Sequence, residues 1–183
     1  MFNLTVYDDF VSNNVLKDLN DVYVESLNYS YIEDNSLLYT VDGTQTKNII
    51  SKLSIQSLNE IYFHVNSYIQ KYYKYNENDD NMLLDYYNFF IDHMHIINYD
   101  VNGYQKIHTH HHIEDHSFII CLNDSDGKTR MYLGKDPIDL NCIKNKIYIF
   151  NAALFHEGLR CTIPRRIAVG SVRFNYKVWK QRN

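Results

Sequence analysis

Five of the nine histidines fall within nine residues, His108-Thr109-His110-His111-His112-Ile113-Glu114-Asp115-His116, together with two carboxylates. Neutral imidazole is the commonest protein metal ligand, and a mixed histidine and carboxylate cluster suits a divalent first-row metal. On a strand, side chains two apart share a face, so His108 and His110 would point the same way and could hold one metal from one side. His156 lies 46 residues beyond His110, at the start of another extended segment, and could supply a third ligand. A redox iron site uses three protein ligands on one face and leaves the other positions open.

Arg166 follows His156 by ten residues, at the head of the segment Arg166-Ile167-Ala168-Val169-Gly170-Ser171-Val172-Arg173-Phe174. An arginine fork matches a carboxylate in bidentate fashion. On an inner strand face near a metal, Arg166 would hold the far carboxylate of a small dicarboxylic acid. By itself each residue has a plainer reading, a core histidine and a surface arginine beside Arg165. Their joint spacing favours a shared site.

The elements that must position these residues come in two halves. Phe2, Leu4 and Val6 alternate as a short strand, and Ser12 can cap a helix whose apolar face is Val15, Leu16, Leu19, Val22, Tyr23 and Leu27. Residues 29–46 are polar, with Asp42-Gly43 as a turn signal. A longer helix is expected from Lys47 to Tyr75, with Ile50, Leu53, Leu58, Ile61 and Val65 in its stripe and His64 as a structural residue. Beyond residue 82 the period becomes strand-like: Phe89–Asp100, Tyr104–His110, Ser117–Asn123, Thr129–Leu133, Ile147–Phe150, Phe155–Cys161 and Arg166–Tyr176, with turn cues at Asn102-Gly103, Asp124–Gly127 and Asp136-Pro137. The expected class is α+β, a single domain over 1–183, with 1–82 mainly helical support and 83–178 a β-sandwich or barrel.

Composition excludes several function classes. With 183 residues, 45% hydrophobic and 22% charged, the chain can bury one core. A net charge of −4 does not indicate nucleic acid as a partner. No apolar run approaches the roughly 18–20 residues of a membrane span, and the N-terminal residues lack a signal-peptide pattern. Cys121, Cys142 and Cys161 are odd in number and scattered, which reads as reduced thiols in a cytoplasmic protein. Asn76–Asn81 lacks the glycine and distal glutamate of a calcium loop.

The order of short motifs resembles the iron(II)/2-oxoglutarate-dependent oxygenases, especially the prolyl 4-hydroxylase-like branch. The residues carrying the resemblance are Tyr99, His108, Leu122-Asn123, Gly127-Lys128-Thr129, Ile147–Phe150, His156-Glu157-Gly158 and Arg166, with Tyr7–Val11 resembling how such chains begin. The resemblance implies a double-stranded β-helix (jelly roll) with the N-terminal helices packed on one sheet. It implies Fe(II), 2-oxoglutarate and O2 as cofactor and co-substrates, and hydroxylation of an unactivated C–H bond with release of succinate and CO2. The far carboxylate of 2-oxoglutarate would pair with Arg166, helped by Tyr99. The substrate could be a protein or peptide residue such as proline, or a small molecule.

The departure lies in the opening stretch. The family pattern has His-x-Asp or His-x-Glu, where this chain has His108-Thr109-His110. The leading reading is a three-His set of His108, His110 and His156. Alternatives are a slipped pair, His112-Ile113-Glu114, or a fold-back of Glu114 or Asp115 onto the metal. His111 and His116 are read as exposed loop or neighbours of the ligands, and His93 and His95 as packing or surface. The competing function is a non-catalytic, cupin-like three-His metal protein, which would not need an arginine aimed at a co-substrate.

Overall fold

The computed structural model describes residues 4–28, 32–33, 40–76, 89–110 and 115–174. His111, His112 and Glu114, and with them two of the alternative ligand readings, lie outside the described residues, as do parts of the polar stretches 29–46 and 76–90.

Strand β1 (Leu4–Tyr7) leads into helix α1 (Asn13–Asn28). Ser12 caps α1 as expected: its carbonyl accepts from Leu16 N at 3.2 Å and its hydroxyl from Val15 N at 3.5 Å. Strands β2 (Ile32–Glu33) and β3 (Thr40–Thr46) follow, so the first half contributes strands as well as helices. Helix α2 (Ile55–Asn76) begins later than the apolar stripe suggests. The preceding residues form a 3-10 turn at Ile50–Lys52, because Ile49 N donates to Met94 O (2.7 Å) and Met94 N to Asn48 Oδ1 (3.3 Å). Those bonds tie the segment to the sheet instead of to a helical turn. Ser54 then caps α2, its hydroxyl accepting from Ser57 N at 3.2 Å.

The second half is β4 (Phe89–His108), β5 (His116–Cys121), β6 (Ser125–Tyr132), β7 (Pro137–Cys142), β8 (Ile147–Asn151), β9 (His156–Gly158) and β10 (Arg165–Phe174). All pair antiparallel in one 10-stranded sheet of order β1-β8-β5-β10-β4-β9-β6-β7, with β3 also on β4 and β2 on β3. This curled antiparallel sheet with two helices is consistent with a jelly-roll-like fold.

Two differences from the sequence pattern matter. The pieces 89–100 and 104–110 are one long strand, β4, with its ladder interrupted near Asn102, a residue of positive φ (68°). Before the interruption β4 pairs with β10, and after it with β9, so one strand carries the chain from one part of the sheet to another. Pro137 does not break the chain into a turn but opens β7, an edge strand, where a missing N–H leaves no gap in the ladder.

Two hydrophobic clusters lie on the two faces of the strands. The first joins Val15, Leu16 and Leu19 of α1 and Ile61, Val65 and Ile69 of α2 to Met94, Ile96, Phe118, Ile120 and Ala168. The second joins Ile97, Tyr99, Ile119, Cys121, Met131, Phe150 and Ile167. Strands β4, β5 and β10 contribute alternate residues to each cluster and are therefore buried on both faces. All three cysteines are free and buried. Among the described residues no helix is long and apolar enough to cross a membrane.

Candidate metal centre and co-substrate cleft

The ladder pairs His108 of β4 directly with His156 of β9. His110 follows at the end of β4, its N–H donating to Ala152 O at 2.9 Å. The ring centroids are 4.2 Å apart for His108 and His156, 4.8 Å for His108 and His110, and 5.2 Å for His110 and His156. One ligand nitrogen from each of the three lies within 4.8 Å of the others, and among the described residues no carboxylate joins them.

Local backbone fixes two of the rings. His108 Nδ1 lies 2.7 Å from Lys106 O, and His156 Nδ1 lies 3.0 Å from Leu154 O. A carbonyl can only accept, so each Nδ1 carries the proton and each Nε2 is left with its lone pair. Burial, with His110 beside it, pulls His108 down to about 4. Burial and the neighbouring His108 pull His156 down to about 3. Both rings are therefore neutral near pH 7 and have no proton to give up to a metal.

The trio lines a narrow cleft of about 340 Å³, counted out to its open mouth. Ile97, Ile119, Ile167 and Val169 form its apolar wall, and Tyr99, Gln105 and Thr129 also line it.

The structure does not bring Arg166 to this cleft. Its side chain lies on the α1 side of the sheet: Nη1 donates to Asn20 Oδ1 (3.1 Å), Nε to Asn98 Oδ1 (3.3 Å), and the guanidinium sits 4.1 Å from the centroid of Tyr23. The arginine on the inner face is Arg165, which is 1% exposed. The reason is register. Strand β10 begins at Arg165, opposite Tyr99, and residues 165, 167 and 169 face inward while 166 and 168 face the helices. Arg165 Nη1 donates to Lys128 O (3.0 Å), Nη2 to Thr129 Oγ1, and the guanidinium lies 5.3 Å from the Tyr99 ring centroid. Its Nε, buried, makes no hydrogen bond among the described residues. A fully buried arginine with an orphaned donor is what an absent anion would satisfy.

Tyr99 is where the sequence placed it, on the cleft, with its hydroxyl donating to Gln105 Oε1 at 3.1 Å. Burial pushes its phenol up to about 12, so it stays a neutral donor. His116, read as exposed loop or a neighbour of the ligands, is not exposed but buried at the head of β5, with burial holding it down at about 4. Asp115 is not in the trio; its backbone N–H donates to Val172 O at 3.0 Å. His95, read as packing or surface, lines the cleft, and its Nδ1 lies 2.7 Å from His93 Nε2. The signal that could have found Arg165 and His95 is strand parity with Tyr99.

No family model and no curated relative matches the sequence. Solved structures do match in shape. A prolyl-4-hydroxylase from Pseudomonas putida is similar at TM-score 0.64 and 14% identity, over 93% of this chain and 91% of that one. A Trichoplax adhaerens prolyl hydroxylase, in complex with a hypoxia inducible factor oxygen degradation domain peptide fragment, gives 0.69 at 10% identity, over 98% and 87%. The viral collagen prolyl hydroxylase of Paramecium Bursaria Chlorella virus-1, as a 2-oxoglutarate complex, gives 0.57 at 14% identity, over 92% and 94%. The chain therefore has the fold of the prolyl-4-hydroxylases and 2-oxoglutarate/iron(II) oxygenases, as the motif order implies.

Proposed function

We propose that this chain is an iron(II)- and 2-oxoglutarate-dependent dioxygenase that hydroxylates an unactivated C–H bond, with a protein or peptide residue such as proline as the substrate class. The observation that carries the reading is one cleft lined by three converging imidazoles, with a buried arginine bonded to the lining Thr129 whose Nε has no hydrogen-bond partner among the described residues. The prolyl hydroxylases of the same fold support the substrate class. The reduced cysteines support a cytoplasmic location.

The donor set fits a divalent first-row metal. His108, His110 and His156 would hold it. Arg165, with Thr129 and Tyr99, would take the far carboxylate of 2-oxoglutarate in the place first assigned to Arg166. When bound, iron and 2-oxoglutarate supply the oxidation of a C–H bond by O2, with release of succinate and CO2. The chain's own contribution is positioning. The carbonyls of Lys106 and Leu154 hold two rings with Nε2 free. The Thr129 hydroxyl accepts from Arg165 and orients the fork. The isoleucine and valine wall keeps water from the reacting region. The helices, through the first hydrophobic cluster, brace the strands that carry these groups. A non-catalytic three-His protein would leave the burial of Arg165 without a purpose.

The test is anaerobic addition of iron(II) and then 2-oxoglutarate. The expected result is a weak visible charge-transfer band that is absent in Arg165→Ala and retained in Arg166→Ala. Correctly folded protein that gives no band would overturn the reading.

A further inference from the structure

Gly158, buried in β9, is a glycine that neither backbone conformation nor close packing explains. The described residues include all six glycines, and none has a positive φ, so the strand backbone at this position is open to any residue. At Gly43, Gly103, Gly127 and Gly170 an added Cβ would meet an atom at 2.5, 2.3, 2.7 and 2.1 Å, so close neighbours exclude a side chain there. Gly134 faces open space. At Gly158 the nearest atoms are Gln105 Cβ, Gln105 N and Tyr99 Oη, each at 3.3 Å, and a shift of a few tenths of an ångström would admit a methyl group. A glycine inside a strand gives up side-chain packing, and it often marks a place where a ligand comes close.

The ladder fixes what surrounds the gap. Gly158 pairs with Gln105 of β4 on one side and with Thr129 of β6 on the other, and all three line the cleft. Opposite residues on neighbouring strands point to the same face, so a side chain at 158 would stand between those of Gln105 and Thr129. The Tyr99 hydroxyl, 3.3 Å from the empty Cβ position, donates to Gln105 Oε1 at 3.1 Å. On the other flank, Thr129 Oγ1 accepts from Nη2 of the buried Arg165. The gap is thus bounded by a phenol and by the side chain that holds the guanidinium. An atom seated there finds donors and positive charge, which suits a carboxylate oxygen.

We propose that Gly158 sets the length of the diacid the cleft accepts: its missing side chain is the space taken by one oxygen of the far carboxylate, beside Tyr99 Oη. The inference rests on the oxygenase reading and names the residue by which that site measures its co-substrate. Gly158 is a specificity-determining residue through the volume it leaves free. A methyl group there would meet Tyr99 and Gln105 first, not the trio, and so shorten the cleft at its arginine end. The penalty should fall on diacid length and not on the metal.

The test uses the full chain reconstituted anaerobically with cobalt(II), with 2-oxoglutarate and freshly prepared oxaloacetate, one carbon shorter, as probes. Dissociation constants are read from the cobalt visible bands directly after mixing. Wild type should bind 2-oxoglutarate more tightly than oxaloacetate. Gly158→Ala should weaken 2-oxoglutarate about tenfold or more, the effect of one carbon in a fitted pocket. Its affinity for oxaloacetate should be unchanged or tighter, and its affinity for cobalt unchanged. A Gly158→Ala protein that binds both diacids as wild type does, or loses both equally, would overturn this inference and leave the oxygenase reading standing. So would a wild type that prefers oxaloacetate. If Gly158→Ala fails to fold by circular dichroism, the double variant with Tyr99→Phe removes the 3.3 Å contact, and the same ratio taken against Tyr99→Phe alone decides. Failure of the double variant to fold would mean that the glycine serves packing, which also overturns the inference. Wild type that binds neither diacid, or no cobalt, would overturn the oxygenase reading and this inference with it.

Discussion

Arg165 and Arg166 are neighbours in the chain and lie on opposite sides of the sheet, one near the Tyr99 ring on the inner face and the other over Tyr23 of α1. The two are therefore separable by mutation. Arg165→Ala should weaken 2-oxoglutarate by about 10- to 100-fold, as expected for loss of a charged hydrogen-bonding partner, with iron affinity nearly unchanged. Arg166→Ala should leave 2-oxoglutarate binding intact and cost about 1 kcal/mol of stability, from its aromatic contact and its bonds to Asn20 and Asn98. Isothermal titration and chemical denaturation of both variants check the pair. A reversed pattern would return the role to Arg166.

Metal binding should be visible as stability. A metal that binds only the folded state at hundredfold excess over its Kd adds about 2.7 kcal/mol, roughly 5–10 °C in Tm for a chain of this size. Wild type should show this shift with iron(II) or cobalt(II), and His108→Ala and His156→Ala should not. Glu114→Ala should keep it. Loss of the shift in Glu114→Ala, with His110→Ala unaffected, would restore a carboxylate ligand.

Two glycines separate packing from function. A Cβ at Gly170 would lie 2.1 Å from Phe118 Cζ on the helix side of β10. A Cβ at Gly127 would lie 2.7 Å from Cys161 Cβ and 3.2 Å from Arg165 Cδ. Both alanine variants should lose about 1–3 kcal/mol through overpacking. Only Gly127→Ala should also weaken 2-oxoglutarate, because it displaces the stem of Arg165. Denaturant midpoints and co-substrate titrations on the same samples measure the split.

Asp126 braces the turn that enters β10. Its carboxylate accepts from Thr162 N and Ile163 N, both at 2.9 Å, and from Thr162 Oγ1 at 2.6 Å. The Thr162 hydroxyl and the two backbone N–H groups hold its pKa below the ordinary carboxylate value. A depressed folded value means the contribution is complete above the unfolded pKa, near 3.8, and is lost as pH falls through the folded one. Asp126→Asn should therefore be less stable than wild type at pH 6, with the gap closing toward pH 3 in urea titrations. A gap that stays constant with pH would mean the carboxylate charge contributes nothing.

Much of the site was legible because its chemistry is local. His108 and His110 announce themselves by density and by the spacing of a strand face, and His156 by its place before a late strand. Tyr99 was reached through motif order and lies on the cleft. The arginine that faces inward is one residue before the expected Arg166, because β10 is buried on both faces. Ile167 and Ala168 are equally apolar, so alternation did not reveal which parity faces inward. His95, read as packing or surface, is buried and outside the trio, but its place on the cleft was not visible because Met94 and Ile96 on one face of β4 and Ile97 on the other are all buried. The start of α2 was set by bonds from Ile49 and Asn48 to Met94, a partner 45 residues from Ile49 that no local periodicity contains. The continuity of β4 through Asn102-Gly103 was hidden by a dipeptide that ordinarily signals a reversal.

That continuity makes β4 a ruler. Tyr99, opposite Arg165, and His108, opposite His156, stand on one covalent strand with a fixed number of residues between them. The span between the buried Arg165 and the histidine trio is thus set along one continuous strand, not by the approach of two independent loops. Under the proposed function, a diacid one methylene longer or shorter should bind more weakly than 2-oxoglutarate. A single residue inserted or deleted near Asn102 would turn His108 to the other face of the strand relative to Tyr99.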